Sequence, residues 1–307
     1  MRDARAEAYE RLAGRYEARV LEPSPPAVAD PPWFADDPVA RGQSHGGREV
    51  VSPVGTGDLR WDDLARENPS LGAWCAERWL GAWRRLEPAP STLAVTRVAL
   101  HRVAEHVLKP ARERADGKIG LRYTLHGFGT PFFGQDRQVR VEGVDLVDDS
   151  PAGERRAPLS TLGAAAAHVD VPLTVEDGPL EIDPAAAAFL AAWYGFATSA
   201  LEELRAEAEP ELDPSRVQLW PEHFDVSVEL GAEAAGRRAN FGASPGDDEH
   251  PEPYVYVGPW DASAASGEGW NATAFPGAEL AYAELLGAPD QRAAALEFLR
   301  DRLRALS

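Results

Sequence analysis

Asp183 followed by Pro184 marks a helix start: a capping carboxylate, then proline at the first helical position, where its missing N–H costs nothing. From there to about residue 207 no further proline occurs. Phe189, Trp193, Phe196, Ala200 and Leu204 recur along this run on one helical stripe. A helix this apolar must be buried, so the rest of the chain has to be arranged to cover it. On both sides of it lie stretches of period-two alternation, the signature of strands. Ile119, Leu121, Tyr123 and Leu125 alternate with Lys118, Arg122, Thr124 and His126. Val139 and Val141 share a face within 138–147, and residues 216–230 and 254–258 alternate again. Two strand clusters separated by helices, without regular strand–helix alternation, predict an α+β fold: antiparallel strand clusters packed with several helices, and helical N-terminal and C-terminal ends.

The other elements come from local signals. Helices are expected over 3–20, 61–87, 92–108, 160–168, 276–287 and 290–306, the last on the stripe Leu296, Leu299, Leu303 and Leu306. Ser91 is a cap candidate, and Pro110 should disrupt the end of the 92–108 helix. Gly127 to Pro131 reads as a turn, 148–156 as a charged linker, 169–176 as a short strand and 231–253 as a loop. Pro23, Pro25, Pro26, Pro31, Pro32 and Pro38 make 21–60 an irregular Pro/Gly-rich segment, with Trp33 and Phe34 as its anchors. The short linker favours a single compact unit over 1–307, with 1–150 and 151–307 as the alternative division.

Charge and cysteine usage narrow the partners. With 50 acidic and 31 basic residues the chain carries a net charge of -19, and its short basic runs form no stripe. Nucleic acid and anionic membrane surfaces are therefore not expected partners. The single cysteine, Cys75, lies among Trp74, Ala76 and Trp79 and reads as a small buried hydrophobe. No apolar leader opens the chain, and the most apolar run, 185–201, reads as a core helix shorter than a membrane span, so a cytoplasmic protein is expected. No Gly-x-Gly-x-x-Gly turn is present in the sequence.

The densest grouping of chemistry-bearing residues starts at Leu219-Trp220-Pro221-Glu222-His223-Phe224-Asp225 and extends through residue 256. On an extended strand His223, Asp225, Ser227 and Glu229 would share one face, and Phe224, Val226, Val228 and Leu230 the core face. The loop from Gly242 to His250 adds Asp247, Glu249 and His250, and Tyr254 and Tyr256 share a face of the next strand. Metal-assisted or acid–base chemistry would draw on His223, Asp225 and His250 as catalytic candidates, and on His223, Asp225, Asp247 and His250 as ligands of a divalent metal, with Glu249 as a further ligand or base. A plainer role for His223 and Asp225 is to hold the proline-containing loop through hydrogen bonds. His101 and Glu105, one turn apart on a helix, predict a local hydrogen bond.

The segments 217–225, Phe241 to Asp247 and Pro251 to Val257 resemble a bacterial domain family without assigned function. That resemblance implies a recurring unit covering about the last third of the chain, and brings no activity, cofactor or catalytic residue. Three readings are open. The first is a binding protein for a small polar ligand or a partner segment, with Trp220, Tyr254, Tyr256 and Trp260 as the aromatic lining and His223 and Asp225 as polar groups. The second is a metal-assisted hydrolase; the metal is the less favoured cofactor expectation. The third is an interaction protein whose proline-rich arm, 21–40, wraps a partner subunit.

Overall fold

The computed structural model describes residues 85–306, apart from Leu125, Phe132, 134–136 and Pro151. The expectations for the 3–20 and 61–87 helices, the 21–60 segment and Cys75 lie outside the described residues.

Helix α1 (Leu93–Val103) passes through a π turn (Ala104–Leu108) into α2 (Lys109–Asp116). The disruption expected at Pro110 is thus a change of winding, and the helix runs on to Asp116 instead of stopping near 108. Proline has no N–H for the α-helical ladder, and the wider π turn just before it absorbs the mismatch. A meander comes next: β1 (Arg122–Thr124), β2 (Gly127–Gly129), β3 (Gln138–Glu142), β4 (Asp145–Ser150) and β5 (Gly153–Pro158). Then come α3 (Leu162–His168) and α4 (Pro184–Glu207), the latter capped as its sequence demands, with Asp183 Oδ1 accepting from the Ala186 amide at 2.9 Å. A second meander has β6 (Gln218–Trp220), β7 (Asp225–Leu230), β8 (Ala239–Ser244), β9 (Tyr254–Pro259) and β10 (Ala278–Ala281). Helices α5 (Tyr282–Gly287) and α6 (Gln291–Leu306) close the chain. The architecture is α+β, with two antiparallel five-stranded sheets among the described residues.

The two sheets meet edge to edge. Leu121 and Leu219 exchange both backbone hydrogen bonds, at 2.8 and 2.9 Å, so β1 and β6 are bridged. One core lies beneath: Trp193, Tyr194 and Phe196 of α4 are buried with Phe128, Leu121, Leu219, Val226, Val228 and Phe241. Pro184–Arg205 is a helix of 22 residues long and apolar enough to cross a membrane by length and composition, which corrects the expectation that no stretch approaches that length. Of its most apolar 18-residue stretch, 67% is buried inside the protein.

Several expected elements differ. Residues 148–156 form the β4–β5 hairpin rather than a linker. Its strands lack apolar alternation because ions hold them: Arg155 pairs with Asp148, and Arg156 with Glu142 and with Asp145 at 3.2 Å. Gly127 to Gly129 is a strand, not a turn; a side chain at Gly129 would collide with Arg140 on β3, so glycine permits the close pairing. Residues 169–176 are irregular, with Asp170 at φ 60°. The loop expected over 231–253 contains β8, and the helix expected at 276 begins only after β10.

Candidate functional site

Register decides which side chains meet. Trp220 opposes Asp225, Ser227 opposes Gly242, Gly242 opposes Tyr256, Ser244 opposes Tyr254, and Tyr256 opposes Glu279. Successive residues alternate faces, so Trp220, Asp225, Ser227, Gly242, Ser244, Tyr254, Tyr256 and Glu279 share the sheet face turned away from α4. Val226, Val228, Phe241, Ala243, Val255 and Val257 take the core face and are buried.

The turn feeding β7 is pinned from the helical layer. Residues 221–224 reverse the chain, and Phe224 adopts φ 57°, unusual for a large side chain. Its carbonyl accepts from the Tyr194 hydroxyl at 2.7 Å, and its ring packs edge-on against Phe128 and Tyr194. The His101 ring stacks on Phe224 at 5.1 Å, and its Nε2 lies 2.8 Å from the Pro221 carbonyl oxygen. Burial pulls the His101 pKa below its ordinary value. Lys109 reaches Glu222 at 2.6 Å. Helical residues therefore hold this turn, in place of the hydrogen bonds expected from His223 and Asp225. His101 makes this bond instead of the local one expected with Glu105, which lies 3.6 Å from His106.

Two polar clusters stand side by side on the outer face. In the first, the Asp225 carboxyl is buried, at 6% exposure, and its Oδ2 accepts a short hydrogen bond from the Tyr256 hydroxyl. Gly242 makes this possible: any side chain there would strike the Tyr256 ring, which lies across β8 to reach β7. Ser227 hydrogen-bonds the same hydroxyl. Asp225 Oδ1 is buried and has no hydrogen-bond partner among the described residues. Burial raises the Asp225 pKa; the Tyr256 hydroxyl and the charge of His223 pull against that. Burial, then the Asp225 carboxylate, pushes Tyr256 well above the ordinary tyrosine value, so it stays a donor.

In the second cluster, Asp247 Oδ1 accepts from the amides of Glu249 and His250, at 2.8 and 2.7 Å, and its Oδ2 accepts from the Tyr254 hydroxyl at 2.8 Å. The His250 ring sits between two carboxylates, with Nδ1 3.2 Å from Asp247 and Nε2 3.2 Å from Glu279. Arg97 of α1 braces the loop by donating to the Asp247 carbonyl at 2.9 Å. Tyr254 and Tyr256, ring centroids 6.0 Å apart, join the two clusters.

The structure redistributes the expected site residues. Asp225, Tyr254, Tyr256 and Trp220 do come together, with Trp220 half-buried. His223 is exposed on the turn and is not a member of the strand face, because β7 begins at Asp225. Trp260 lies at the other end of the face: its indole N–H donates to Asn240 at 3.1 Å, four residues along β8 from Ser244, roughly 13 Å away. The metal set of His223, Asp225, Asp247 and His250 is not assembled; among the described residues no three His, Cys, Asp or Glu side chains are grouped to hold a metal ion. His250 directs its two ring nitrogens at different carboxylates, which sends its donor and acceptor directions apart. Ser227 was on the expected face, but its bond to Tyr256 depends on a register that no single strand reveals.

No family model, no curated protein and no solved structure matches this chain. The resemblance of the C-terminal block to a bacterial family therefore adds nothing to the site.

Proposed function

We propose that the Trp220, Asp225, Tyr254 and Tyr256 end of the outer sheet face binds a small polar ligand, with the Asp225 carboxyl as its anchor. The supporting observation is the half-satisfied carboxyl. Tyr256 holds one oxygen in place, and the other is buried without a hydrogen-bond partner among the described residues. Buried polar atoms are nearly always paired, and an unpaired one costs about 1–3 kcal/mol. A ligand donor at Oδ1 would recover that cost, and the flanking aromatic rings supply contact area. Metal-assisted hydrolysis has no comparable support, since the residues it needs do not form a ligand set.

The test is a thermal-shift screen of the full chain against a mixed panel of amines, polyols, amino acids, carboxylates and divalent metal salts, run in parallel on Asp225→Asn. At least one compound class should raise the wild-type Tm and leave the variant unmoved. A panel that shifts both proteins alike, or neither, counts against the reading.

A further inference from the structure

We infer that the ligand presents a primary alkylammonium group to Asp225 Oδ1, an inference that rests on the ligand-binding reading above. Three observations select this chemistry.

The first is the number of acceptors left. Guanidinium groups favour carboxylates that offer both oxygens to their planar fork. Here Oδ2 already accepts from Tyr256, so among the described residues Oδ1 is the oxygen without a donor. A single acceptor suits an ammonium, a compact point charge whose donors need no fork.

The second is the company the carboxyl keeps. Trp220 stands directly opposite Asp225 across the β6–β7 pair, and the ring of Tyr256 crosses the face beside it. Faces of Trp and Tyr attract cations and cover methylene groups. Oδ1 is a buried acceptor without a donor among the described residues, and a quaternary ammonium, having no N–H, would leave it unpaired.

The third is that the nearby arginine and lysine are engaged elsewhere, while His223 acts on the Asp225 carboxyl by charge alone. Arg97 donates to the carbonyls of Asp247 and Pro251, at 2.9 and 3.5 Å. Lys109 is paired with Glu222. His223 is exposed on the turn. Around the face lie Asp247, Glu279 and Glu222, within a chain of net charge -19, a field that favours a cationic guest over an anionic one.

The experiment is equilibrium dialysis of the full chain at neutral pH and matched ionic strength. The probes are butylammonium, butylguanidinium, tetramethylammonium, 1-butanol and butyrate, and the proteins are wild type, Asp225→Asn and Trp220→Ala, each checked for fold by circular dichroism. Butylammonium should bind the wild type saturably at one site and bind Asp225→Asn about tenfold more weakly or worse, the loss expected when a charge-assisted hydrogen bond is removed. Trp220→Ala should also weaken it, which keeps the test decisive if Asp225→Asn does not fold. The other four probes should bind several-fold more weakly than butylammonium. Asp225-dependent binding of butylguanidinium, tetramethylammonium, 1-butanol or butyrate that equals or exceeds that of butylammonium overturns the ammonium assignment and leaves the ligand site standing. If no probe distinguishes wild type from both variants, the assignment and the site fall together.

Discussion

At the scale of single residues, the candidate site turns on Asp225 and the hydroxyl that holds it. Tyr256→Phe deletes the hydroxyl that donates to Asp225 Oδ2, so it should cost about 1–3 kcal/mol in urea unfolding. Asp225→Asn should behave differently. In the fold, burial raises the pKa of Asp225 against the opposing pull of Tyr256 and His223. The protonated form is therefore favoured on folding. Its contribution to stability is complete below the unfolded carboxylate value and is lost as pH rises through the elevated folded one. The stability difference between wild type and Asp225→Asn should accordingly fall as pH rises above the ordinary aspartate value of about 4, read in urea titrations at stepped pH. A difference that does not change with pH would contradict the assignment. At this scale much was legible. The alternation of 225–230 sorted Asp225, Ser227 and Glu229 from Val226, Val228 and Leu230 correctly. His223 escaped because Phe224 at φ 57° breaks the alternation one residue before the strand begins, and a left-handed phenylalanine leaves no mark in local composition.

At the scale of elements, the β3–β5 hairpins carry ion pairs beside the apolar core contacts of Val139, Val141 and Leu146. Arg140 is fully buried and reaches Glu142 at 2.6 Å, Asp149 at 3.3 Å and Glu154 at 3.0 Å. Arg140→Met should cost about 3–5 kcal/mol, because it removes a buried cation from the carboxylates gathered round it. Burial pushes the pKa values of Glu142 and Asp148 up, and their arginines more than reverse it, so both lie below the usual range. The sign is opposite to that at Asp225: this stability is present above the ordinary carboxylate pKa and is lost as pH falls through the depressed values. Acid unfolding of the wild type should therefore steepen below about pH 4, read by far-ultraviolet circular dichroism. The end of β4 and β5 were hidden in the sequence because their partners are charges, whereas 138–147 was legible as strand. A run such as Asp148 to Arg156 has the composition of a linker, and only the cross-strand register turns it into ion pairs. Helix α4, whose cap and stripe are local, was legible from end to end.

At the scale of the whole molecule, the two meanders share an edge bridge and one core built on α4. Tryptophan fluorescence and circular dichroism should then report coincident urea transitions for the described region, as a shared core requires; separated midpoints would show that the halves unfold independently. The same architecture sets Asp225 on the sheet face opposite Val226, Val228 and Phe241. Sequence reading could name that face and most of its aromatic residues. It could not see that Tyr256 reaches across Gly242, since that depends on three strands in register. The central claim is that Asp225 anchors a ligand. Carbon-13 NMR of its side-chain carboxyl in the full chain, titrated with pH with and without butylammonium, tests this most directly. The expected result is an Asp225 carboxyl that titrates above the ordinary aspartate value alone and is drawn back towards that value by butylammonium. A resonance that titrates as an ordinary exposed aspartate, or that ignores the added amine, would contradict it.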